Sequence, residues 1–99
     1  MATNEADRLT LVLTARIPLE GMVAFQAYED AVLPLLPVFG GRLERRLRNF
    51  DGSIEVHIVS FPSEAEFQRY RADPRRIEQS RLLEQSSARL ELTAMTDVS

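Results

Sequence analysis

The chain has no cysteine, no lysine, no tryptophan and a single histidine, His57, among its 99 residues. Without cysteine there is no disulfide framework, no thiolate metal site and no cysteine nucleophile. One imidazole excludes a histidine-rich metal site within one subunit. The first eight residues lack the basic segment and following apolar stretch that export requires, and no apolar run reads as a membrane span, so a soluble, cytoplasmic protein is expected. All 12 basic residues are arginine, a bias we ascribe to a GC-rich genome before any ligand. The net charge of −3 does not favour nucleic acid as a partner. Internal repeats, low-complexity tracts, a Gly-rich phosphate loop and a Gly-x-Ser-x-Gly elbow are also missing.

What the sequence does hold is periodicity. From Glu55 to Phe61 residues alternate at the strand period until Pro62, and Ser63-Glu64-Ala65-Glu66 then opens a helix with Ser63 as its cap. Leu9 to Arg16 alternates likewise and is closed by Pro18. From about Gly21, the residues Phe25, Tyr28, Val32, Leu35 and Phe39 recur at helical steps; Pro34 should kink the last turn, and Pro37 with Gly40-Gly41 should end it. Arg42 to Arg48 and Ser53 to Phe61 form a hairpin about Asn49-Phe50-Asp51-Gly52. That connection sets Arg48 opposite Ser53 and Glu44 opposite His57, whereas a tight turn at Asp51-Gly52 alone would set Arg46 opposite His57. Phe67 and Tyr70 begin the buried stripe of the next helix, which breaks at Asp73-Pro74 and continues through Ile77, Leu82 and Leu83. The last strand is Ala88 to Met95.

Residues 1–8 read as a flexible N-terminus, 9–96 as a single domain and 97–99 as a tail. The order strand, helix, strand, strand, helix, strand predicts an α+β fold, a ferredoxin-like βαββαβ chain with a four-stranded antiparallel sheet and helices on one face. Alternation assigns Leu11, Leu13, Leu43, Leu47, Ile54, Val56, Ile58, Leu90 and Leu92 to the covered face. The other face then carries Thr10, Val12, Thr14, Arg16, Arg42, Glu44, Arg46, Glu55, His57, Val59, Phe61, Glu91, Thr93 and Met95. It is too apolar for an ordinary solvated face and too charged for a second core, so it reads as a partly polar cavity or interface. A solvated face with a few stray apolar residues is the alternative.

The element order, Tyr28, the stretch Val32-Leu33-Pro34 ahead of Gly40-Gly41-Arg42, and Val59-Ser60-Phe61-Pro62-Ser63-Glu64 leading to Asp73-Pro74 resemble the dimeric α+β barrel superfamily. Within it the sequence is most similar to a branch known only as a domain of unknown function (1330-like). The resemblance implies a homodimer whose sheets meet through their uncovered faces, with a pocket between sheet and helices in each subunit. Members include cofactor-free monooxygenases, muconolactone isomerase-like enzymes, haem-dependent proteins and stress-responsive proteins, so membership does not select a function.

The candidate chemistry lies in His57, Tyr28, Arg42, Arg16, Glu44 and Glu55. His57 can change charge near neutral pH and so suits an acid or a base; a strand histidine paired with an acid would look the same in sequence. Tyr28 would hydrogen-bond a ligand oxygen, or pack in the core with its hydroxyl at the rim. Arg42, after two glycines, offers an anion a guanidinium beside free amides, or is solvated. We take His57 and Tyr28 as candidate catalytic residues and Arg16, Arg42, Glu44 and Phe61 as candidate ligand-binding residues, with no metal and no cofactor. The expected function is binding or conversion of a small organic molecule by a monooxygenase- or isomerase-like site; the alternative is a non-catalytic dimeric binding or structural protein. Neither nucleic acid nor a membrane is an expected partner, since RNA recognition on such a sheet needs exposed aromatics on its central strands.

Overall fold

The computed structural model describes residues 8–98. Residues 1–7 of the expected flexible N-terminus, and Ser99 of the tail, lie outside the described residues. In chain order come β1 (Leu9–Arg16), a 3-10 turn (Leu19–Gly21), α1 (Met22–Val32), a 3-10 helix (Leu33–Phe39), β2 (Arg42–Arg48), β3 (Ile54–Phe61), α2 (Glu64–Ala72), α3 (Pro74–Ile77), α4 (Ser80–Ser86) and β4 (Arg89–Met95). The sheet order is β2-β3-β1-β4, every neighbouring pair is antiparallel, and the helices cover one face.

Local chemistry sets the boundaries. Ser63 Oγ accepts from Glu66 N at 3.2 Å to start α2, and Asp73 Oδ1 accepts from Arg75 N at 2.8 Å to start α3 with Pro74 in its first turn. At Leu33 the chain tightens into a 3-10 helix instead of continuing as a kinked α-helix, because Pro34 and Pro37 have no N–H to give. The three-residue period then aligns Leu33, Leu36 and Phe39, so Leu36 is buried where Leu35 was expected. Gly40, at φ +70°, ends the helix. Leu19–Phe39 is a helical run long and apolar enough to span a membrane by composition, but Phe25, Tyr28, Val32 and Leu36 spend its apolar stripe on this sheet. Ile77, expected on a buried stripe, is exposed because α3 ends there and the chain turns before α4.

The sheet corrects two expectations. Opposite residues of an antiparallel pair share a face, and β1 sets Leu11 opposite Val59, Leu13 opposite His57 and Ala15 opposite Glu55. Leu11 and Ala15 are buried in the core. Glu55, His57, Val59 and Phe61 therefore lie under the helices, while Ile54, Val56 and Ile58 lie on the open face, the reverse of the expected sorting of this strand. Leu11, Leu13, Leu90 and Leu92 do lie on the covered side, since β4 sets Leu92 opposite Leu13 and Leu90 opposite Ala15. Leu47 moves to the open face with Val56.

The hairpin register also differs from the expected pairing of Glu44 with His57. Arg46 faces His57 and Arg48 faces Glu55. The ladder closes at Asn49 and Ile54, where Asn49 N donates to Ile54 O at 3.0 Å and Ile54 N to Asn49 Oδ1 at 2.9 Å. Gly52 takes φ +80° in the loop. A bulge between Leu43 and Arg45 absorbs Glu44. A buried carboxylate is costly unless paired, and this register brings two guanidiniums to Glu55 while Leu43 and Leu47 still face the aliphatic Val59 and Val56.

Candidate functional site

Between the sheet and the helices lies a cavity of about 220 Å³, smaller than the roughly 300–1,000 Å³ usual for ligand pockets. Leu13, His57, Val59 and Phe61 form its floor; Tyr28, Glu29 and Val32 come from α1, Leu33 and Leu36 from the 3-10 helix, Phe67, Tyr70 and Arg71 from α2, and Arg76 from α3. Leu90 and Leu92 of β4 also line it yet are 39% and 45% exposed, which makes that side the mouth. Phe61, with ring centroids 5.3 Å from those of both Phe67 and Tyr70, fixes the apolar end.

The other end is polar and closely tied. Glu55 is buried and accepts from Arg46 Nε, from Arg48 Nε at 3.1 Å and from Gln26 Nε2 at 3.2 Å, while Gln26 Oε1 accepts from Arg46 Nη2 at 3.0 Å. Burial alone would raise its pKa, but hydrogen bonds from His57, Arg46, Gln26 and Arg48 lower it to about 2. Glu55 is thus an acceptor only. His57 Nε2 lies 2.7 Å from Glu55 Oε1, so a neutral His57 carries its proton on Nε2 and turns the lone pair of Nδ1 away from Glu55. Desolvation lowers the His57 pKa, opposed by Glu55. On the Nδ1 side, at 3.6 Å, stands Oε2 of Glu29. Glu29 is only 2% exposed; burial first, then repulsion from Glu55, raises its pKa to about 7, with Arg46 and Arg76 opposing.

This end therefore holds an ionised Glu55 that orients a neutral His57, and a Glu29 that gains and loses a proton near neutrality. Such a pair can take a proton from a bound molecule and return it. Among the described residues no cluster of His, Asp and Glu could hold a metal ion.

Of the residues singled out in the sequence, His57, Tyr28 and Phe61 share the cavity. Arg16, Arg42 and Glu44 do not line it. Arg16 is exposed beside Arg89 and Glu91, and Arg42 pairs with Ser60 at the far end of the hairpin. Glu44 Oε1 accepts from Ser60 Oγ at 2.7 Å, part of a clasp in which Arg8 Nε also reaches Ser60 Oγ at 3.0 Å. Arg16 and Arg42 stand on the helix-free face, opposite Ile54 and Ser60, and Glu44 lies in the bulge beside Ser60, so none of the three faces the helices; the reversal of β3 brings His57 and Phe61 to the helix side without them. Sequence reasoning missed Glu29 and Arg76. Glu29 had a signal, an acid four residues after Phe25 and three before Val32, inside the buried stripe.

No protein-family model matches the chain, and no curated protein matches it. Solved structures do. Rv0793 from Mycobacterium tuberculosis superposes at TM-score 0.74 and 14% identity, over 93% of this chain and 96% of that one. SnoaB, a cofactor-independent oxygenase from Streptomyces nogalater, gives 0.71 and 19%, over 94% and 97%. A NIPSNAP family protein from Agrobacterium tumefaciens gives 0.66 and 16%, over 100% and 97%. The fold is ferredoxin-like α+β. At these identities the likeness carries the fold alone, and the chemistry rests on the cavity.

Proposed function

We propose that this chain binds a small, largely apolar organic molecule in the cavity and moves a proton on it without a cofactor, as an isomerase or oxygenase acting on an activated C–H or O–H bond would. The observation that carries the reading is the buried Glu29, with its pKa raised to about 7, beside His57 on an otherwise mainly apolar wall. A base whose pKa sits near the working pH combines the right protonation state with enough driving force. Tyr28 would then position the ligand. The likeness to a cofactor-independent oxygenase agrees with this reading. Placement in the 1330-like branch belongs to the same proposal and rests on the turn and cap motifs.

The working form we propose is a homodimer. Ile54, Val56 and Ile58 put an aliphatic row on the helix-free face beside Val12 and Leu47, and a second copy would cover it.

The test is deuterium uptake by 2-tetralone, an enolisable ketone of suitable size, followed by NMR in D₂O near pH 7. The protein should accelerate uptake above buffer, and Glu29→Gln should cut the acceleration by about 100-fold. A ketone that shifts cavity resonances without faster exchange would favour the non-catalytic binding protein instead. No shift and no exchange would end both readings.

A further inference from the structure

Arg46 does not line the cavity, yet it stands directly across the ladder from His57 on β2, with Leu13 of β1 on the other side of the ring's strand. Its Nε donates to Oε1 of Glu55, the same oxygen that His57 Nε2 meets at 2.7 Å. A guanidinium and an imidazole thus share one carboxylate oxygen. Arg46 is held there from α1: its Nη2 donates to Gln26 Oε1 at 3.0 Å, and Gln26 Nε2 donates to Oε2 of Glu55 at 3.2 Å, which closes a ring of guanidinium, amide and carboxylate. Gln26 lies on the same helix as Glu29 and within one turn of it.

A carboxylate beside a histidine favours the imidazolium. Here the negative charge of Glu55 is already met by Arg46 and by Arg48, whose Nε lies 3.1 Å from Oε2. The other charged or titratable groups about Glu29 and His57 are Arg76 of α3, Arg71 and Tyr70 of α2, and Tyr28 and Asp30 of α1. Arginine does not lose its proton in proteins, burial keeps both tyrosines protonated, and Asp30 is exposed to solvent. His57 and Glu29 are left to exchange protons near neutrality.

We infer that Arg46, clamped by Gln26, is a positioning residue of the proton-transfer site: by matching the charge of Glu55 it keeps the His57 ring neutral with Nδ1 bare toward Glu29, and so leaves Glu29 free to take a proton from the ligand. This rests on the proton-transfer reading above. Without Arg46, the less compensated Glu55 would hold the ring as an imidazolium. Its new Nδ1–H would face Oε2 of Glu29, 3.6 Å away, and would stabilise that carboxylate in its ionised form, which weakens it as a base. Arg46 therefore acts on the reacting proton through Glu55 and His57, from outside the cavity.

The experiment follows the ring nitrogens of His57 by NMR in the ligand-free parent, Arg46→Met, Arg46→Lys and Gln26→Leu, alongside 2-tetralone exchange from about pH 5 to pH 8. In the parent the ring should be neutral near pH 7, with its proton on Nε2. Arg46→Met should raise the His57 midpoint and cut the exchange acceleration near pH 7 at least about tenfold. The loss should fall on kcat, with KM kept within about twofold, since Arg46 does not touch the ligand. Arg46→Lys returns the charge without the planar fork, and should bring the midpoint back toward the parent and recover part of the exchange; a packing role alone would leave lysine no better than methionine. Gln26→Leu should move the midpoint in the same direction by less, and it serves if the methionine variant fails to fold. A midpoint unmoved in the methionine and leucine variants, or a raised midpoint with undiminished exchange, would overturn the role of Arg46 even if the parent exchanges 2-tetralone. Absence of exchange in the parent would overturn proton transfer at Glu29 and the positioning role with it, whatever the midpoints show.

Discussion

Oε2 of Glu29 and Nδ1 of His57 lie 3.6 Å apart, one on α1 and the other on β3, and meet only because the sheet turns His57 toward the helices. Glu55 claims the other nitrogen of the same ring. A single imidazole thus separates two buried carboxyl groups whose environments push their acidities apart, about 2 for Glu55 and about 7 for Glu29. One is bound by guanidiniums and an amide; the other has desolvation and a negative neighbour.

This asymmetry fixes the sign of a stability profile. Glu29 has a folded pKa above its ordinary 4.5, so its contribution is fully present below pH 4.5 and is lost as pH rises through about 7. At about 1.4 kcal/mol per pKa unit the loss is roughly 3 kcal/mol. Glu55 and His57 act oppositely: their depressed folded values give stability present above their ordinary values of 4.5 and 6.5 and lost on acidification. Urea unfolding at intervals from pH 5 to pH 8 should show Glu29→Gln gaining on the parent as pH rises. Parallel profiles would show that Glu29 titrates as it does in the unfolded chain.

The register makes a second distinction. Because Glu44 sits in the bulge and bonds Ser60, Glu44→Gln should leave the NMR titration midpoint of His57 where it is. Glu55→Gln should lower it, since Glu55 opposes the desolvation of the ring. The same substitution should cost about 1–3 kcal/mol, as it weakens the buried, charge-assisted hydrogen bonds from Arg46 and Arg48, whose guanidiniums still reach solvent. A midpoint that moves with Glu44 would restore the expected register.

Element order, hairpin position and helix caps were legible because each is local: Ser63, Asp73-Pro74 and Gly40 act within a few residues of themselves. The faces of β3 were not. Ile54, Val56 and Ile58 are uniformly aliphatic, yet the alternative set ends in Val59 and Phe61, so alternation gives two acceptable insides. The choice is made by β1 and by the pairing of Glu55 with Arg46, Arg48 and His57, contacts that no local period encodes. The bulge at Glu44 likewise has no glycine to announce it. Tyr28 was found from its stripe, while Glu29, on the same stripe, was passed over because an acid seldom lies buried without a partner of opposite charge.

Packing at the start of α1 offers a test independent of the site. A Cβ placed on Gly21 would lie 1.9 Å from the backbone oxygen of Ser86 at the end of α4. Backbone on both sides cannot yield as a side chain does, so Gly21→Ala should cost at least about 1–3 kcal/mol, the usual range for overpacking. Thermal unfolding reads it. A variant as stable as the parent would mean that α1 and α4 do not approach so closely.

The open face supplies the last prediction. Its aliphatic row, Ile54, Val56 and Ile58, is flanked by Val12 on β1 and Leu47 on β2, and the helices all lie on the other side. A stable interface needs about 800 Å² from each partner, an area a four-stranded sheet face can supply. Light scattering at micromolar concentration should therefore return twice the 11.2 kDa chain mass. Ile58→Arg puts a guanidinium at the centre of the row and should halve that mass, because an unpaired charge buried between two sheets costs several kcal/mol. The helix side is untouched by this change, so the monomeric variant should keep its circular dichroism, and Ile77→Arg, exposed on α3 on the helix side, should leave the mass at twice the chain value. A parent protein that scatters as a single chain would refute the dimer outright.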